Sequence, residues 1–216
     1  MEKYCISSHD YLRRAWLRLG SAAPESLFYA AFELRCGIEA RMGEYLEVWD
    51  HISKKKKKGW RIAETHRNLE EAFRSGNKVV RWAVHDRVEN NLQVCLYHTP
   101  VTTRLRKDGE KLGNYLYSMK KSREPNDQWW IRLKTELTDT AARLKFATAG
   151  TLLGPPMILS GTRNVDMKME TPPGSDPETL MKRMGGSGIE MSIKVNYLNA
   201  LPGPIEPEAI VWWDGS

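Results

Sequence analysis

Apolar residues recur along positions 24–52 at Leu27, Ala31, Leu34, Ile38, Met42, Tyr45, Trp49 and Ile52. The steps are three or four residues, which lays one continuous stripe along an α-helix. Apolar surface left in water costs about 25 cal/mol per Å², so this stripe predicts a cover of other helices. A second one, Trp130, Leu133, Leu137, Ala141 and Leu144, follows Asn126, a residue able to cap the helix it opens. It is the natural cover of the first. Three further helices complete the expected bundle: one from Ser8 to a left-handed stop at Gly20, one over 60–74 with Ile62, His66, Leu69 and Phe73, and one over 102–120 with Leu105, Leu112, Leu116 and Met119. Pro24 and Glu25 suit the first turn of the long helix. Gly37 and Gly43 weaken it by about 1 kcal/mol each relative to alanine, which implies either close approach of another backbone or a bend.

Residues 78–100 leave two readings open. Val79, Val80, Trp82, Val84, Val94 and Leu96 favour strands, with Asn90 and Asn91 at the turn between them, whereas the charge pattern also suits a helix. Beyond Gly150 the composition changes, since eight of the eleven prolines fall there. Short strands are expected at 157–160, 165–170, 189–197 and 209–213. The fold class predicted is therefore α+β: a helical bundle of about five helices over 1–148, and a Pro/Gly-rich extension over 149–216 that forms a small C-terminal antiparallel sheet packed on the bundle.

A chain of 216 residues, 41% hydrophobic, can fill such a core. Cys5, Cys36 and Cys95 are an odd number with no CxxC pair, so neither a disulfide framework nor a zinc site is expected and a reducing compartment fits. The charged start and the lack of any apolar run of about 18 residues argue for a cytoplasmic protein without a membrane span. Charge changes the picture more. Residues 53–81 carry ten Lys+Arg against three Asp+Glu, and 101–145 carry eleven against six, so the whole excess of +6 lies in these two segments. Side by side they would form a face for a polyanion; apart, they are solvated surface.

Signatures of zinc proteases, serine hydrolases, P-loops and dinucleotide folds are absent. The run Gly185, Gly186, Ser187, Gly188 lacks the lysine of a phosphate loop and reads as a turn. Five histidines show no i, i+4 pair, so no metal or cofactor is expected. The remaining candidates cluster after the long helix. Lys54, Lys55, Lys56, Lys57 and Lys58 could grip phosphates while Trp60 stacks on a base, and Arg104, Arg106, Lys107 and Lys111 would extend the track. The competing reading makes the lysines a solvated connection and Trp60 a core residue.

Within this region RIAETH places His66 five residues after Arg61. The spacing resembles the Arg-x4-6-His pattern of the HEPN families, helical proteins of prokaryotic toxin and defence systems, many of them metal-independent ribonucleases. YAAFELRCGIEARM looks like that family's core helix, and EKLGNYLYS is similar to a Leu-Gly helical segment found in some of its members. The resemblance spans residues 8–148, with Ile62 departing from the polar residue usual after the arginine. It implies that His66 moves a proton while Arg61 stabilises charge on an RNA phosphate, in a cleft completed by a homodimer. His66 also lies on the stripe of Ile62, Leu69 and Phe73, where a structural histidine would sit. The alternative class is a non-catalytic scaffold that offers a protein partner its helical stripes and C-terminal sheet, Trp212 and Trp213 included.

Overall fold

The computed structural model describes residues 5–21, 23–57, 59, 61–87, 92–117, 122–124, 126–158, 165–170 and 191–202. The protein is α+β and mostly helical, as its sequence predicts. It comprises α1 (Ser8–Leu19), α2 (Glu25–Glu47), α3 (Lys54–Lys57), α4 (Ile62–Phe73), β1 (Val79–Asp86), β2 (Leu92–His98), α5 (Thr103–Leu112), α6 (Gln128–Ala147), β3 (Met157–Ile158), β4 (Val165–Asp166) and β5 (Met191–Leu198). These elements form two compact units. Unit 1 joins Met1–Arg74 to Val101–Thr148, and unit 2 joins Ser75–Pro100 to Ala149–Ser216.

In unit 1 the long stripe is sealed. Leu27, Ala31, Leu34, Ile38, Met42, Tyr45, Trp49 and Ile52 are all buried, although α2 itself ends at Glu47 and the last two sit in the turn beyond it. α6 covers this stripe with Leu133, Leu137, Ala141 and Leu144 buried, while Trp130 stays half-buried. Gly37 explains how close the two helices come: a Cβ there would lie 2.8 Å from Leu144 Cδ2 and 3.1 Å from Tyr11 Cβ.

Several ends differ from expectation. The cap of α1 is Ser7, whose side chain takes the N–H of Asp10 while the Asp10 carboxylate accepts from Ser7 N–H, a reciprocal box. Gly20 keeps a right-handed φ of −72°, because its N–H finds the Trp16 carbonyl without a left-handed turn. Arg74, at φ 51°, supplies that conformation at the end of α4. Asp127, not Asn126, caps α6 by accepting from Trp129 N–H at 2.8 Å. The fourth expected helix stops at Leu112, followed by a short 3₁₀ turn, Gly113–Tyr115. The lysine run adds one helical turn of its own, α3.

Within residues 78–100 the two apolar runs resolve as strands, β1 and β2. Unit 2 holds an antiparallel sheet in the order β2-β1-β5, so the C-terminal strand pairs with a hairpin from the middle of the chain. Val80, Trp82 and Val84 oppose Tyr197, Val195 and Ile193 and share their face. On that face Trp82, Val84, Val94 and Leu96 pack with Leu152, Met167 and Met169. The opposite face carries Arg81, whose Nε–H donates to Cys95 Sγ at 3.2 Å. The strand expected at 165–170 shortens to β4, which pairs with β3 at the start of the one expected at 157–160, whose residues 159 and 160 lie outside the described residues. The strand expected at 209–213, like the Asn90/Asn91 turn and the glycine run 185–188, lies outside the described residues.

Candidate functional site

Unit 1 contains every candidate site residue. α3 is pinned at two points. Lys57 Nζ donates to the Glu47 carbonyl at 2.8 Å, meeting the negative end of α2, and lies 4.0 Å from the Glu47 carboxylate. Lys56 Nζ pairs with Glu71 at 2.6 Å, while the Lys56 carbonyl accepts from Asn68 Nδ2 at 2.9 Å. The Glu71 carboxyl is held below its ordinary range, mainly by the Lys56 hydrogen bond. Lys54 and Lys55 are exposed, and among the described residues neither side chain makes a hydrogen bond or ion pair. Lys58 and Trp60 lie outside the described residues.

On α5 most of the positive charge is spent internally. Arg104 meets Asp108 at 3.3 Å, Arg106 meets Glu110 at 2.7 Å, and Lys111 meets Glu136 of α6 at 2.5 Å. Lys107 is exposed and has no such partner among the described residues. Of the predicted track, then, Lys54, Lys55 and Lys107 have no ion-pair partner among the described residues, and Lys56, Lys57, Arg104, Arg106 and Lys111 are ion-paired. Both α3 and α5 pack against α4 and against α2.

α4 also fixes the Arg61/His66 geometry. Arg61 is its N-cap, with extended backbone and an exposed side chain, and its carbonyl accepts from Thr65 Oγ1 at 3.1 Å. His66 faces inward beside Ile62 and Leu69 and is 6% exposed. Its Nε2 lies 2.9 Å from the Val101 carbonyl. A carbonyl only accepts, so that nitrogen carries the proton. Burial lowers the imidazole pKa from its ordinary value, against the opposing pull of the Val101 hydrogen bond and Glu70. Arg61 precedes the first helical residue and is exposed, whereas His66 is buried, so one residue points outward and the other into the core. The structure brings His66 to a backbone carbonyl in the core and leaves the Arg61 side chain on the surface.

A different polar cluster escaped the sequence reading. Arg41 is fully buried, with Nε donating to the Ala147 carbonyl at 3.0 Å and Nη1 to Glu44 Oε2 at 3.0 Å. Tyr45 Oη donates to the same Ala147 carbonyl at 2.9 Å. Glu44 in turn accepts from Ser8 N and Ser8 Oγ, both at 2.7 Å. The start of α1 and the end of α6 are thus both tied to α2. The signal was present, since Arg41 falls on the buried side of the stripe between Ile38 and Met42.

Among the described residues no group of three His, Cys, Asp or Glu side chains could hold a metal, and no helix is long and apolar enough to cross a membrane. No family model, curated protein or solved structure matches the chain.

Proposed function

We propose that unit 1 is a HEPN-like helical module that holds RNA, or a polyanion like it, against its basic elements without cleaving it. The observation that carries this is the exposure of Lys54, Lys55 and Lys107 without ion-pair partners among the described residues. Such lysines gain most from phosphate, because no internal salt bridge has to break. Cleavage would require His66 to leave the Val101 carbonyl and reach solvent, which its burial opposes. Fluorescence anisotropy with single-stranded RNA tests the reading. Wild type should bind with a steep salt dependence, and Lys54→Glu/Lys55→Glu/Lys107→Glu should flatten the slope by about three phosphate contacts. Equal slopes for the two proteins would remove it.

A second reading has its own support in unit 2. Ile193, Val195 and Tyr197 stay 49%, 44% and 58% exposed on the apolar face of β5, a surface suited to a protein partner. Tyr197→Lys should abolish such capture while leaving RNA binding unchanged.

A further inference from the structure

A helix on the surface of a bundle usually turns polar residues outward. The outward side of α2 does not. Tyr29 and Phe32 are 57% and 47% exposed there. Cys36, Ala40 and Gly43 continue their line half-buried, and a Cβ added at Gly43 would meet nothing within 4 Å. From Tyr29 to Gly43 the steps are 3, 4, 4 and 3 residues, the period of one helix face. That order reads the same from either end, with Cys36 at its centre. Bulky side chains fill one half of the line and small ones the other.

A second α2 turned end over end therefore sets its Ala40 against Phe32 and its Gly43 against Tyr29, so that each ring meets a hollow. We infer that α2 pairs antiparallel with α2 of a second copy of this chain, across a two-fold axis at Cys36. Such an axis makes the contact isologous, every residue pair occurring twice. It also brings the same flank of both helices together. That flank carries Arg35 and Glu39, already 3.1 Å apart within one copy and with side chains 28% and 40% exposed. Across the axis Arg35 of each copy comes within reach of Glu39 of the other, and the four charges balance. At the far ends Glu25 and Glu47 face one another, where Lys57, 4.0 Å from Glu47, offsets the repulsion. Arg18 stacks on the Tyr29 ring at 5.3 Å and steadies it. α4 packs on the buried side of α2, with Phe73 against Tyr45 and Trp49, so His66 lies outside this contact. The inference is independent of the RNA reading.

Sedimentation velocity of the full chain across the micromolar range tests it. Wild type should sediment as a dimer. Gly43→Leu enters space that the single chain leaves open and replaces glycine by a better helix former. It should raise the dimer dissociation constant by at least about tenfold without lowering the thermal midpoint of the dilute protein. Phe32→Glu should act alike, and Thr135→Glu, on the exposed side of α6, should change nothing. A wild type that stays monomeric throughout, or a dimer that neither α2 variant weakens, overturns the pairing.

Discussion

Replacing Glu44 by glutamine removes a counter-charge of a guanidinium that has no solvent access. Arg41 cannot turn outward to recover water, and its Nε is committed to the Ala147 carbonyl at the end of α6. Breaking a buried pair by removing one partner costs about 3–5 kcal/mol. The Glu44 side chain is 24% exposed and glutamine keeps one acceptor oxygen, so the cost expected here is about 2–3 kcal/mol. Arg41→Met is milder. It leaves Glu44 with both Ser8 donors and partial solvent, and leaves the Ala147 carbonyl with Tyr45 Oη. The double variant has no stranded charge and should cost less than the two single changes together by about 1–2 kcal/mol. Urea unfolding followed by far-ultraviolet circular dichroism reads these values, since the network lies wholly in the helical unit. Additivity within about 0.5 kcal/mol would show that Arg41 and Glu44 do not act as a pair, and the account of how α1, α2 and α6 are tied would fail.

The buried His66 makes stability depend on pH. Its folded pKa lies below the ordinary 6.5, so the unfolded chain binds a proton first as pH falls; stability is full above 6.5 and declines below it until the folded imidazole also titrates. His66→Gln, which keeps an N–H for Val101, should remove that part of the slope. Because the His85 shift runs in the same direction, the difference between the two proteins is the quantity to read, and identical slopes would refute the assignment. Gly37→Val places a branched side chain where a Cβ alone comes within 2.8 Å of Leu144; overpacking of about 1–3 kcal/mol is expected in thermal unfolding, and an unchanged midpoint would mean that α2 and α6 separate freely there.

The long stripe was legible because one period runs unbroken from Leu27 to Ile52, and every residue named on it is buried. Strand against helix at 79–98 was not, because Val80, Trp82 and Val84 alternate with polar residues such as Arg81 and His85 that also suit a helix surface. Pairing of β5 with β1 joins residues more than a hundred positions apart, and only tertiary structure selects that partner. For the candidate site, sequence located the basic segments but could not tell compensated charge from free charge. Glu71, Asp108 and Glu110 decide which lysines and arginines remain available, and they act through helix faces and neighbouring helices. Arg61 and His66 looked like a pair by spacing alone. Their opposite directions follow from α4 beginning between them, at Ile62, with the stripe already facing inward.

Incubating end-labelled single-stranded RNA with wild type and with His66→Gln, then measuring the length of the RNA recovered from each complex, tests the central claim most directly. Holding without cutting predicts full-length RNA from both proteins in equal amount. Shortened RNA from wild type, and intact RNA from His66→Gln, would contradict it and return the buried histidine to a catalytic role.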